Sequence, residues 1–159
     1  MGEYNLERFI TAQESSYAGY QTALSEMKNG RKVSHWIWYI FPQEKGLGHS
    51  YNSQFYGLDG VEEARAYLEH PVLGARLREI TGVLLAHRDK NDSINEIMGS
   101  GIDVRKLRSC MKLFNQVAPN DIFQEVLDAF FPVNEKEQNY NRDHDRNRGH
   151  RRSGFNKFR

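Results

Sequence analysis

One apolar segment constrains the fold of this chain more than any other feature. It is the run HWIWYIF at residues 35–41, which follows Ser34 and ends at Pro42. Its β-branched and aromatic residues are typical of a strand. Nothing else in the sequence has the pattern of a partner strand, however, and an isolated strand leaves its backbone groups unpaired. Because Ser34 is also a good N-cap residue, we predict a buried helix of two turns between Ser34 and Pro42.

Apolar residues in the rest of the chain recur at helical spacing. The pattern predicts a short helix at 6–10 that continues in helical period over 13–29, and further helices near 50–56, 61–69, 71–87, 93–98, 103–118 and 121–131. The predicted N-caps of three of them are Ser50, Asp103 and Asp121. The predicted fold class is all-α, a compact single domain of about seven or eight mostly short helices with no sheet.

Charge is distributed unevenly along the 159 residues. Residues 133–159 carry a net charge of +4, whereas residues 1–132 carry −3, so the overall value is only +1. The basic end is rich in Asn, Arg and Asp and has no apolar periodicity, so it cannot bury enough surface to offset its ordering entropy. We predict a helical domain at 1–132 and a basic, disordered tail at 133–159.

Cysteine content and hydropathy indicate the cellular compartment in which the protein is expected. The single cysteine, Cys110, excludes an intrachain disulfide, which fits a reducing environment. The N-terminus has no basic region followed by an apolar one, and no apolar run approaches the roughly 20 residues that span a bilayer. We therefore expect a cytoplasmic protein without a membrane partner.

Three separated motifs occur in a fixed order along the chain: GRKVSHWIWYIFPQEKGLGHS, ARAYLEHPVLGARLRE and KLRSCMKLF. Together they resemble the bacterial family known only as domain of unknown function 1810, over residues 5–131. The resemblance implies an all-helical domain. It implies no particular activity and transfers no functional residues, and the basic tail is not part of its pattern.

The segment KGLGHS at 45–50 has the residue types of an anion-binding loop. Gly46 and Gly48 let backbone N–H groups approach an anion, and Lys45 can neutralise its charge. The spacing is neither that of a P-loop nor that of a dinucleotide-binding fingerprint. The alternative is a tight turn between two helices in which Ser50 is an N-cap.

The aromatic segment before this loop suggests a ring-binding wall. If 35–41 is helical, Ser34 and Trp38 share one face. Trp36 or Trp38 could then stack on a ring or base, with His35 as acid, base or hydrogen-bond donor. Gln43 adds a polar group at the corner that follows. In the alternative interpretation both tryptophans belong to the core, His35 is structural and Gln43 is a turn residue.

A second basic region lies in the predicted helix at 103–118. Arg105, Arg108 and Lys112 are spaced i, i+3, i+7 and form one face, with Ser109 beside it. The planar guanidinium of Arg108 suits phosphate or carboxylate. The alternative is a solvated face, or ion pairs with acidic helices.

These features predict a protein that binds a small anionic, phosphate-bearing and nucleotide-like ligand in one pocket between residues 34–53 and the helix at 106–112. Catalysis stays open, with His35 and Ser109 as candidate catalytic residues, and no cofactor is assigned. No metal site is predicted, since ligand spacings are missing from 1–132. The predicted ligand-binding residues are Ser34, His35, Trp36, Trp38, Gln43, Lys45, Gly46, Gly48, Ser50, Arg108 and Lys112.

Two other functions remain open from the sequence. The first is a nucleic-acid-binding or adaptor role in which the Arg-rich tail binds RNA or DNA electrostatically, with strong dependence on salt. The second is a protein-interaction module, which predicts an exposed aromatic patch in place of a concave pocket.

Overall fold

A computed structural model describes residues 4–90 and 93–133. These residues contain nine helices and no sheet. The helices are α1 (Glu7–Gln13), α2 (Tyr20–Lys28), α3 (Ile37–Ile40), α4 (Tyr51–Phe55), α5 (Gly60–Glu69), α6 (Leu73–Leu85), α7 (Ile94–Met98), α8 (Gly101–Val117) and α9 (Ile122–Phe130). The predicted all-α fold of mostly short helices is therefore confirmed. The tail predicted at 133–159 lies, apart from Val133, outside the described residues.

The core is built around α8, the longest helix. It packs against α3, α5, α7 and α9, while α6 packs against α2, α5 and α9. Leu107, Met111 and Phe114 are buried at the predicted helical spacing. The Phe114 ring contacts Tyr67 from α5 at 5.6 Å and Phe123 from α9 at 5.7 Å, measured between ring centroids. One apolar stripe of α8 thus joins its neighbours into a single core.

The helix predicted across residues 13–29 is interrupted. Gln13 ends α1, residues 14–19 form a bend, and α2 starts only at Tyr20. Ala18 has a φ of 56°, in the left-handed region, and a side chain at Gly19 would overlap the carbonyl oxygen of Ser15. Tyr17, which matches the helical stripe by spacing alone, is 77% exposed. The tight turn overrides the local periodicity.

The aromatic segment at 35–41 is helical as predicted but shorter. Helix α3 is a single turn, and the residue at its N-cap is Trp36. Ser34 does not cap it: its hydroxyl donates to Glu26 Oε2 at 2.7 Å and its N–H donates to Glu26 Oε1 at 2.9 Å. The predicted cap is wrong because a carboxylate from α2 binds both donor groups of this serine.

Two of the three predicted N-caps are confirmed. Ser50 and Asp121 both accept backbone N–H groups at the starts of their helices. Asp103 is not a cap, since α8 starts two residues earlier and Ser100 Oγ accepts the Asp103 N–H at 3.1 Å. The Asp103 carboxylate instead pairs with the buried Lys32 ammonium at 2.8 Å. Across residues 4–90 and 93–133, no helix is long and apolar enough to cross a membrane.

Candidate anion-binding site

The segment from Glu44 to Leu58, which contains α4, is closed at its base by two backbone hydrogen bonds. Leu58 N–H donates to the Gln43 carbonyl at 2.9 Å, and Lys45 N–H donates to the Leu58 carbonyl at 2.7 Å. They form an isolated parallel bridge between Glu44 and Leu58. Gly57 lies so near Lys45 that a side-chain carbon there would be 2.6 Å from Lys45 Cα. The residues between, including α4, therefore form a closed loop.

Arg8 ties this loop to the body of the protein. Its Nε donates to the Phe55 carbonyl at 2.7 Å and its Nη2 to the Gly57 carbonyl at 3.0 Å. Its Nη1 forms an ion pair with Glu63 Oε2 at 3.0 Å, and both side chains are nearly buried. This guanidinium satisfies the carbonyl groups at the end of α4. Sequence reasoning did not single out Arg8, because its partners lie 47 to 55 residues away.

Two serines form the start of α4. Ser53 N–H donates to Ser50 Oγ at 3.1 Å, and the Ser50 hydroxyl donates to Ser53 Oγ at 3.0 Å. Ser53 is buried, whereas Ser50 is exposed. Ser50 is thus the N-cap of α4, as expected if residues 45–50 are a tight turn between two helices. Its hydroxyl hydrogen is donated to Ser53, so Ser50 offers no free donor to an anion.

Gly48 brings the loop against a lysine of α8. A side-chain carbon at Gly48 would lie 2.5 Å from Ser53 Oγ and 3.8 Å from Lys106 Nζ. The glycine is therefore needed for close approach to Ser53, and Lys106 faces the same small space. Lys106 is half-buried and forms no hydrogen bond or ion pair with the described residues. An ammonium group thus lies beside the loop without a counter-ion from this part of the chain.

The loop also holds unused backbone donors. The N–H groups of residues 46–49 donate to no acceptor within 4–90 and 93–133. Gly46 has a φ of +97°, a conformation that favours glycine, and its α-carbon faces open space. Four successive N–H donors, the Ser53 hydroxyl and the Lys106 ammonium are all groups that interact well with an oxyanion.

The predicted basic residues of α8 lie elsewhere on that helix. Arg108 and Lys112 are exposed and form no ion pair in the described part of the chain, and Ser109 is half-buried. Two residues along an α-helix correspond to a rotation of about 200°, so Arg108 lies on the other side of α8 from Lys106. Helix α8 approaches the loop as predicted, but through a different residue. One signal was available: Lys106 shares its side of the helix with the buried Cys110, one turn later.

The aromatic wall predicted from Trp36 and Trp38 is mostly core. Trp36 is fully buried and donates its Nε1 hydrogen to Glu26 Oε1 at 2.8 Å, so it offers no free ring face to a ligand. Trp38 is half-buried and packs against the core. His35 is exposed, and its ring bonds to no described residue. The polar groups of Ser34 and Trp36 are therefore bound to Glu26 and are not free to bind a ligand.

Glu26 is the acceptor that fixes the segment before α3. It binds the N–H groups of Val33 and Ser34, the Ser34 hydroxyl and the Trp36 indole. Burial by itself would raise the pKa of this carboxyl, but hydrogen bonds from Ser34, Val33 and Trp36 outweigh it and hold the pKa below 4.5. Glu26 is thus an ionised structural anchor.

Two other kinds of chemistry lack support in the described residues. No group of three or more His, Cys, Asp or Glu side chains there is close enough to hold a metal ion. Cys110 is fully buried, and this burial raises the pKa of its thiol well above the ordinary value. Such a thiol stays protonated and inaccessible, so it is a core residue.

Comparisons with known proteins agree with the fold and assign no activity. A family model described as "Protein of unknown function (DUF1810)" matches residues 3–142, which include the loop and α8. The chain is also similar to the crystal structure of the conserved hypothetical protein Rv1873 from Mycobacterium tuberculosis. Identity is 38% and the TM-score 0.75, over 85% of this chain and 93% of that chain. No curated protein matches.

Proposed function

This chain belongs to the DUF1810 family of proteins of unknown function, and from the geometry of the loop at 45–50 we propose that it binds a small phosphate-bearing ligand there. The ligand is held by Lys106 and by backbone N–H groups of the loop. The proposal assigns no reaction. His35 and Ser109 stay sequence-based candidates for catalysis.

The observation that carries the proposal is the environment of Lys106. The residue is half-buried, its ammonium lies 3.8 Å from where a side-chain carbon at Gly48 would be, and it has no counter-ion among the described residues. An anion beside Gly48 would supply the opposite charge that this part of the chain does not. A phosphate group suits this position because its oxygens accept several charge-assisted hydrogen bonds at once.

Other cations contribute less to this site. Lys45 is exposed at the base of the loop, where it adds a screened charge at longer range. Arg108 and Lys112 stay predicted ligand-binding residues, but their positions on α8 favour Lys106 as the residue that contacts the anion. The two lysines of this helix can therefore be compared directly.

The proposal is tested by titrating the ¹⁵N-labelled full chain with inorganic phosphate and with ribose 5-phosphate. Saturable shifts are expected at the amide signals of Gly46, Gly48 and Ser50. Lys106→Gln should weaken binding about tenfold or more, because it removes a charge-assisted contact to the anion.

Lys112→Gln is the matched control, since it removes the same charge from an exposed position of the same helix. It should change the affinity by less than about twofold, as expected for a screened surface charge. Unchanged binding by Lys106→Gln would contradict the proposal. A loss of affinity confined to Lys112→Gln would indicate that the anion binds instead on the face of α8 that carries Arg108.

A further inference from the structure

A row of contacting rings runs from α4 to α3 at the surface of the protein. Tyr51 stacks on Phe55 with ring centroids 5.5 Å apart, and Phe55 meets Tyr56 edge-on at 4.8 Å. The Tyr56 ring in turn contacts that of Tyr39 at 5.2 Å. Tyr51 is 74% exposed and Phe55 39%, whereas the other two residues are half-buried. We call these four side chains the aromatic band, and exposed apolar surface of this kind is typical of an interaction site.

Contacts with α1 and with the bend that follows it hold the aromatic band in place. The Tyr39 hydroxyl donates to a backbone carbonyl of that bend at 2.9 Å. The Phe55 carbonyl accepts a hydrogen bond from Arg8 Nε at 2.7 Å, and the Tyr56 ring contacts the buried Phe9 ring at 5.8 Å. A segment that docks here therefore meets rings that are already ordered, which lowers the entropy lost on binding.

The charges around the aromatic band favour a cationic segment. Glu44 and Asp59 lie at the two ends of the closed segment that carries three of the rings, and Glu7 precedes the arginine that binds the Phe55 carbonyl. These three carboxylates are exposed and form no ion pair with the described residues; in the same region Lys45 is an exposed cation without one. The face of an aromatic ring also attracts guanidinium and ammonium groups. Positive charge combined with planar or apolar side chains therefore suits this surface.

The sequence RNRGHRRSGFNKFR at residues 146–159 has this combination. Six of its residues are Lys or Arg, none is Asp or Glu, and Phe155 and Phe158 supply two rings. Five of the six cations are arginine, whose planar side chain stacks on aromatic faces. The segment therefore complements the aromatic band in both charge and side-chain type.

The chain is long enough to bring this segment to the aromatic band. The structure describes the chain as far as Val133, and the roughly 13 residues from there to Arg146 span up to about 40 Å when extended. A domain of this size has a radius of gyration of about 14 Å. Residues 146–159 can therefore reach any face of the helical domain.

We infer that residues 146–159 dock on the aromatic band of the same chain. Arginine guanidinium groups stack on the exposed Tyr51 ring, and the phenylalanines pack beside Phe55. Because the segment is tethered, its effective concentration near the band is on the order of millimolar, so contacts that are weak between separate molecules suffice. This interaction does not depend on the proposed function.

The inference is tested on the ¹⁵N-labelled full chain with a nitroxide spin label attached at Ser153→Cys. Cys110 is fully buried, so the label attaches to the new thiol. The amide signals of Tyr51, Phe55 and Tyr56 should be broadened more than those of other exposed residues. The broadening should weaken as the salt concentration rises, because the attraction between the charges is screened.

Tyr51→Ala should reduce the broadening at Phe55 and Tyr56 about threefold, as expected for the loss of one cation–π contact. The substitution removes an exposed ring and should leave the fold intact. Ile102→Ala is the matched control, because it removes an exposed apolar side chain of α8 that is not part of the aromatic band. It should leave the broadening unchanged.

Two results would overturn the inference in the unmodified band or its variant: even broadening over the whole surface, or broadening that is unchanged in Tyr51→Ala. A third comes from mixing the ¹⁵N-labelled chain without a spin label with an unlabelled chain that carries one. Equal broadening in this mixture would show that the segment docks on a second copy, which would also overturn the inference.

Discussion

At the scale of single residues, the Glu26 carboxylate is the most heavily used acceptor described above. Replacing it with glutamine removes the charge and one acceptor oxygen while keeping the size of the side chain. At neutral pH we expect Glu26→Gln to lower the free energy of unfolding by about 2 kcal/mol, because a charged hydrogen bond is lost and buried donors go unpaired. Urea denaturation measures the difference.

The same substitution should alter the pH dependence of stability. The folded-state pKa of Glu26 lies below its ordinary value of 4.5, so its ionised form stabilises the fold above that pH, and this contribution is lost as the pH falls through the folded-state pKa. The difference between the unmodified chain and Glu26→Gln should therefore shrink in acid. Glu62→Gln, at a side chain 75% exposed, should change the stability by less than about 0.5 kcal/mol. A difference independent of pH would contradict the assigned role.

At the scale of secondary-structure elements, two glycines of α6 provide an internal comparison. A side-chain carbon at Gly74 would overlap the backbone carbonyl of Leu68 at the end of α5, whereas one at Gly82 would only touch the Ile122 side chain at 3.6 Å. Gly74→Ala should therefore lower the free energy of unfolding by at least about 2 kcal/mol, since backbone atoms cannot easily move apart. Gly82→Ala should raise the free energy of unfolding by about 0.5–1 kcal/mol, because alanine has the higher helix propensity. Thermal unfolding of both variants checks that one substitution lowers the midpoint temperature and the other raises it. A similar shift of the midpoint in both variants would contradict the close α5–α6 contact.

The helices were largely predictable from the sequence, but the side chains that meet between them were not. Ser50 was recognised as a cap because its partner is three residues away. Ser34 was misassigned because its partner, Glu26, belongs to another helix. Lys106 was passed over in favour of Arg108, because the rotation of α8 about its own axis is set by packing against α5 and α9. Local pattern thus identified the loop and the helix that faces it, while tertiary packing selects the residue in contact.

At the scale of the whole molecule, the helix α9 lies at the end of the described core. It packs on α6 and α8, and among residues 4–90 and 93–133 the last side chain packed against the core is Phe131. A chain truncated after Pro132 should therefore unfold with nearly the same free energy as the full chain, within about 1 kcal/mol. Denaturant titration of the two chains checks this, and a larger loss would show that the predicted boundary between domain and tail is wrong.

The same pair of chains separates the two leading functions. Phosphate binding, as proposed above, involves the loop at 45–50 and Lys106 and should survive truncation. The alternative of nucleic-acid binding through the tail requires that RNA affinity is lost on truncation and, in the full chain, falls as the salt concentration rises. Equal RNA binding by both chains would exclude the tail as the nucleic-acid element.

The bridge between Glu44 and Leu58 has a consequence for insertions in this segment. Because the two ends of the loop are joined by backbone hydrogen bonds, residues can be inserted directly after Lys45, near Gly46, without changing where the chain enters α5. The entropic cost of such an insertion grows only slowly with its length. A change in the length of this segment should therefore alter the surroundings of Gly48 and leave the packing of α5, α6 and α8 unchanged.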